Sequence, residues 1–295
     1  MRKTSLFQKI AAAPHILWAV MFIVAPMLFV LYFAFTDADG NFSFSNIASL
    51  SRYGNVFILS IAFALIATVV CLIIGYPLAY FMSRQSPRAQ KILMVLVMLP
   101  MWCNLLIRTY ALMALLDNGG LLNALLEKLG LHKLSIVGTN FGVILGMIYD
   151  FLPYMVLPIF TAMTKLDKRY IEASHDLGCN GWQTMTRVIM PLTVSGVVSG
   201  ITMVFVPSIS TFYISQKLGA GKIDLVGDTI ERLFQNPSTY NIGAAMSLVM
   251  MILIIISVRV MNHFSDDERD SSGSSKGHKG GRMVPGNFSP NAISA

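Results

Sequence analysis

The sequence predicts an all-α integral membrane protein with six transmembrane helices. Three observations carry that prediction. Only 13% of the 295 residues are charged and 55% are hydrophobic, where a soluble domain carries about 25% charge. Mean hydropathy is +0.63. Apolar runs long enough to cross a bilayer as helices, about 20 residues each, recur at 14–35, 56–82, 91–116, 138–163, 192–214 and 242–263.

The first run, Pro14 to Phe35, is 22 residues long. A signal-peptide core has about 7–15 apolar residues, and no small-x-small site follows this run closely, so it reads as a retained anchor. Pro26, Pro77, Pro100 and Pro207 fall inside or at the edge of the first, second, third and fifth runs. The fourth holds Pro153 and Pro158, which makes it the helix most prone to bend. Proline frees a backbone carbonyl that must find a partner in a neighbouring helix or a wet cavity, although prolines are also simply common in membrane helices. The connections 37–55, 83–90, 117–137, 164–191 and 215–241 are too short for a soluble domain. The plan is a cytoplasmic N-terminus at 1–13, a six-helix domain at 14–263, and a tail at 264–295 whose Ser, Gly and charge content reads as disordered.

Charge sets the orientation. The N-terminus, 83–91, 164–191 and the C-terminal end hold 15 Lys and Arg, against 6 in the alternate connections. Removing the four in the tail leaves 11 against 6. By the positive-inside rule both termini are cytoplasmic. The net charge of +7 therefore reflects topology and offers no argument for nucleic acid. Cys71, Cys103 and Cys179 are scattered, with neither a disulfide framework nor metal-ligand spacing.

The connection 164–191 is patterned. Asp167 is placed to cap a short helix running to Leu177. Gly178 then tolerates a positive φ, a natural helix stop. Asn180 with Gln183 resembles a capping box. Trp182, Met185 and Ile189 form an apolar stripe at helical spacing. Two short helices with a tight turn are predicted. The stripe needs a surface, which the membrane domain, the lipid interface or a groove on a partner protein would each supply.

The same residues resemble the EAA motif of ABC-importer permeases, E-A-A-x₃-G-x₉-I-x-L-P. Here Glu172-Ala173-Ser174 is followed at that spacing by Gly178, then by Val188-Ile189-Met190-Pro191. Ser for Ala, Val for Ile and Met for Leu are conservative departures. The stretches Leu99–Tyr110, Leu152–Pro158 and Glu172–Gly178 resemble spermidine/putrescine permeases of the PotB type, of the binding-protein-dependent transport inner-membrane component family. That resemblance implies the type I importer (MetI-like) permease fold in a bacterial inner membrane. It implies polyamine import, a cytoplasmic ATPase dimer that binds the ATP, a second homologous permease subunit and an extracytoplasmic substrate-binding protein. It assigns Glu172, Ala173, Ser174, Asp176, Gly178 and Pro191, within the coupling loop 165–191, to the contact with the ATPase. An importer of another solute, such as iron or sulfate, would carry the same loop.

Two charged residues lie inside spans, Arg108 and Asp150. An intramembrane charge suggests a partner or a wet path. Arg108 lies about 12 Å from the outer end of its span and Asp150 about 18 Å from that of its own, within reach of an ion pair. The alternative is a path position, with Tyr149 and Tyr154 offering aromatic faces to an ammonium cargo and Asn104, Ser210 and Tyr213 adding polar lining. Enzyme signatures are missing: no HExxH, no GxSxG, and a Gly219–Ile223 segment that lacks the first glycine and the Ser/Thr of a P-loop. The chain reads as a non-catalytic subunit with no cofactor of its own.

Overall fold

The computed structural model describes residues 14–37 and 40–273, and apart from an isolated Thr36–Phe42 bridge their regular structure is helical. The helices are α1 (Pro14–Ala34), α2 (Gly54–Ser83), α3 (Pro87–Trp102), α4 (Leu105–Leu116), α5 (Leu121–Lys128) and α6 (Asn140–Thr164). Then come α7 (Lys168–Asp176), α8 (Gly181–Leu192), α9 (Val194–Ser210), α10 (Tyr213–Leu218), α11 (Val226–Gln235) and α12 (Tyr240–Gly273). Among the described residues, five stretches are long and apolar enough to cross a membrane: Pro14–Ala34, Ser45–Ser83, Leu105–Lys128, Asn140–Thr164 and Pro237–Met261. A sixth is reached only by counting α9 together with α8, from which it is bent by 69°.

The third predicted span, 91–116, is not one helix. It breaks at Cys103 and Asn104, whose backbones are extended. Pro100 lies in the last turn before the break, and Asn104 Oδ1 accepts the Leu106 N–H at 2.8 Å, starting α4 afresh. An N-cap of that strength favours a new helix over a continued one. The residues expected to form span three thus divide between α3 and α4. At the other end, α12 continues as helix to Gly273, past the predicted boundary at 263. Residues 1–13 and the rest of the predicted tail, 274–295, lie outside the described residues.

α6 is the central element, packed between α2 and α9. Val143, Met147, Met155, Val156 and Ile159 are all fully buried on it. Its two prolines sit in one uninterrupted helix. The approach of α9 is close because Gly196 and Gly200 face it. A Cβ at Gly196 would stand 2.8 Å from the Pro158 carbonyl oxygen, and one at Gly200 2.8 Å from Met155 Sδ. Small residues four apart are what lets membrane helices pack backbone to backbone, where lipid supplies no hydrophobic driving force.

A second cluster joins α1, α2, α9, α11 and α12 through Ala34, Ala64, Phe205, Val226, Leu233 and Met246. α1 itself is mostly uncovered, with Leu17, Phe22 and Phe29 each more than 60% exposed. An apolar face of that extent belongs against lipid or another subunit.

Candidate functional site

The connection 164–191 folds as its local chemistry dictates. Asp167 accepts the Arg169 N–H at 3.0 Å and caps α7. Gly178 adopts φ +81°. Its N–H donates to the His175 carbonyl, and the Cys179 N–H donates to Ser174, the paired bonds of a Schellman stop. α8 opens with a reciprocal capping box. Asn180 Oδ1 accepts the Gln183 N–H at 2.8 Å, and Gln183 Oε1 accepts the Asn180 N–H at 3.0 Å.

The two short helices are pinned together by hydroxyls. Ser174 is 4% exposed, and its Oγ lies 3.0 Å from Thr184 Oγ1. A second alanine at position 174 would lose that bond, so the serine does more than stay small. Ser174 Oγ also donates to the Ile171 carbonyl at 2.7 Å.

The predicted stripe on α8 is not all inward. Ile189 is buried, but Trp182 is 75% exposed. The reason is a π-helical turn at Met185–Ile189. Its wider winding shifts the phase, so residues seven apart no longer share a face. The outward side of the loop carries Tyr170, Leu177 and Trp182, the last two at least 75% exposed. Glu172, Ala173, Asp176, Gly178 and Pro191 are exposed on the same connection. The inward side closes on the membrane helices around a cavity of about 390 Å³ lined by Tyr80, Met163, Leu166, Ile171 and Ile189.

An elbow links this loop to the spans, and the sequence reading missed it. At Thr193 the chain turns by 69° from α8 into α9. Thr193 Oγ1 donates to the Ile189 carbonyl at 2.8 Å and lies 3.0 Å from the Tyr76 hydroxyl of α2, with both groups buried. One hydrogen-bonded joint therefore ties the end of α8 to α2 at the start of α9. A threonine just after the Pro191 of the motif was the only available signal.

Within the spans, Arg108 of α4 pairs with Asp150 of α6, Nε to Oδ1 at 2.5 Å. Asp150 is fully buried and Arg108 is 7% exposed. The Thr109 hydroxyl donates to Asp150 Oδ2 at 3.2 Å. Arg108 Nη1 finds no hydrogen-bond partner among the described residues. The ion-pair reading is what the geometry presents: the Asp150 charge is matched inside the protein. Tyr149 lies beside the pair, its ring centre 6.0 Å from the guanidinium carbon, and is 40% exposed. Tyr154 packs on Phe151. Asn104 and Ser210 are exposed. Tyr213 meets Tyr110 edge to face at 5.8 Å, and the Lys217 ammonium sits 5.0 Å above the Tyr110 ring and 5.6 Å from that of Tyr213.

The profile of the family described as "Binding-protein-dependent transport system inner membrane component" matches residues 75–269. The spermidine/putrescine transport system permease protein PotB of Haemophilus influenzae is 36% identical over 264 residues, covering 86% of this chain and 92% of that protein. The PotB of Escherichia coli K12 is 36% identical over 247 residues, 80% of this chain and 90% of its own length. Among solved structures, the bacterial alginate ABC transporter in complex with its alginate pentasaccharide-bound periplasmic protein gives a TM-score of 0.71 at 19% identity, covering 88% of this chain and 93% of the matched one. The inward-facing MetNI methionine transporter gives 0.51 at 15% identity, over 73% and 94%. At those identities the structures establish the shared fold.

Proposed function

The chain belongs to the binding-protein-dependent transport system inner membrane component family, and from that premise we propose that it forms half of a translocation path for polyamines, coupled to its ATPase through 165–191. It is a multi-pass permease subunit of an ABC importer, without catalytic activity of its own. The polyamine cargo rests on one observation, the 36% identity to PotB over 86% of the chain.

Both termini face the cytoplasm, which puts α7 and α8 on the ATPase side. The exposed Leu177 and Trp182 at the tip of two capped helices supply the apolar anchors of a helix-in-groove contact, with Glu172 and Asp176 beside them. Gly178 sets the turn that presents them. Movement of the ATPase dimer pushes α8, and the Thr193 elbow passes that motion to α2 and α9. A second homologous permease completes the path, and an extracytoplasmic binding protein delivers the cargo. Tyr149, Tyr154, Ser210, Tyr213 and Asn104 line the path, while the Arg108–Asp150 pair holds α4 to α6 behind them.

The reading is tested by purification and transport together. The importer reconstituted in vesicles is expected to take up labelled putrescine or spermidine, and Leu177→Asp with Trp182→Asp is expected to strip the ATPase from the purified chain. Uptake of sulfate or iron without polyamine would overturn the cargo. Retention of the ATPase by that double variant would overturn the docking surface.

A further inference from the structure

α11 follows span five in the connection 215–241, on the outer side under the topology above. One face of this short helix is apolar, with Leu233 buried, and its N-terminus is tied to α2 by the Val226 N–H, which donates to Ser60 Oγ at 2.8 Å. The other face repeats acid and amide at helical spacing. Asp228, Glu231, Arg232 and Gln235 stand at i, i+3, i+4 and i+7, the positions that share one side of a helix. Together with Asp224 and Gln216 they line a cavity of about 360 Å³.

The charges there do not cancel. Arg232 is spent on Asp224, Nη1 to Oδ1 at 3.2 Å and Nη2 to Oδ2 at 3.1 Å. Glu231 receives only neutral donors, Gln216 Nε2 and Gln235 Nε2. Lys217 lies over Tyr110 and Tyr213, and neither it nor Lys222 lines the cavity. Asp228 is 5% exposed. Its Oδ2 accepts the Leu225 N–H at 3.2 Å. Its Oδ1 meets no hydrogen bond of full geometry among the described residues; the Ser215 hydroxyl stands close enough to favour the charged carboxylate but donates to the Phe212 carbonyl at 3.0 Å. A buried carboxylate oxygen left without a donor is costly, so this atom gains from any donor brought to the cavity. Burial has also pushed the Asp228 carboxyl up to about 6, which a bound cation would reverse.

The lining suits an organic cation better than a metal ion. Among the described residues no three acidic, histidine or cysteine side chains converge closely enough to hold a metal ion. The cavity is of small-ligand size. A primary ammonium offers three N–H donors and a full charge on a narrow alkyl stem.

We propose that this cavity is a capture site at the outer mouth for the primary ammonium end of a short aliphatic polyamine, held between Asp228 Oδ1 and Glu231. The source of the amine rests on the cargo reading above; the ammonium chemistry rests on the cavity alone. The test uses the complete permease–ATPase assembly in nanodiscs without binding protein, with labelled putrescine in equilibrium dialysis, beside vesicle uptake by the full importer. Wild type is expected to bind putrescine, and E231Q and D228N each to bind it at least tenfold more weakly. Asn at 228 keeps an acceptor for Leu225, and half-buried Glu231 has no part in the core, so E231Q decides the matter if D228N folds poorly. Equal binding by wild type and E231Q, or no binding by wild type, overturns the site. Displacement of putrescine by equimolar magnesium overturns it in favour of a metal. Loss of binding in E231Q from a wild type that takes up no polyamine upholds the ammonium site and overturns the cargo.

Discussion

Replacing Asp150 with Asn separates the two roles a buried carboxylate can play in this protein. Asn keeps the volume and an oxygen for the Thr109 hydroxyl, and removes only the charge. Arg108 is then left 93% buried, in contact with no counter-ion, and already short of one hydrogen bond at Nη1. Removing one partner of a buried pair costs about 3–5 kcal/mol, because the other charge stays desolvated. At about 2–4 °C per kcal/mol for a domain of this general size, the apparent Tm of the purified importer is expected to fall on the order of 10 °C. Arg108→Met with Asp150→Leu removes both charges, and apolar replacements of buried pairs are often neutral. That double variant is expected to recover most of the lost Tm. Thermal unfolding of the four members of the cycle, with uptake measured on each, is the assay. Asp150→Asn with an unchanged Tm and reduced uptake of a cationic cargo would refute the interhelical lock, and would place the carboxylate on the path.

Two further outcomes are expected. Gly178→Val puts a β-branched residue at φ +81°, a strain of about 1–2 kcal/mol. Nothing lies within 4 Å of a Cβ there, so the membrane domain keeps its Tm while cargo-stimulated ATP hydrolysis falls; full stimulation would count against the coupling role. Asp228 gives a pH effect. Its carboxyl, raised to about 6 by burial with Asp224 and Glu231 adding to the shift and Ser215 and the Leu225 N–H opposing it, ionises at about 3.9 when unfolded. The folded state therefore holds the proton more tightly. Stability from this group is full below about pH 4 and is lost as pH rises through about 6. Hydrogen exchange in α11, corrected for intrinsic rates, should be slower at pH 5 than at pH 7, and D228N should abolish the difference.

Much of this molecule was legible along the chain because the bilayer enforces simple rules. A span must be long, apolar and internally hydrogen-bonded, so the positions of most spans follow from composition. The caps at Asp167 and Asn180 and the turn at Gly178 were legible for a related reason: each rests on bonds between residues at most five apart, and local chemistry suffices. The break at Cys103–Asn104 was missed because apolarity continues straight through it, while the N-cap that ends the run is a single asparagine. The phase slip that exposes Trp182 was missed because a π-turn leaves no mark in a count of residues.

What only the tertiary structure decided are the pairings across distance. Arg108 and Asp150 lay within reach of each other on either reading, and helix rise cannot tell an ion pair from two path residues. The packing of α4 on α6 can. The Tyr76–Thr193 joint spans 117 residues, and Asp228 is buried where α10 packs against α11. A chain by itself determines most of its spans and its local stops, since those are set by solvent and by neighbours in sequence. Which buried charges are answered, and which are left open for a ligand, is settled by the helices brought against them.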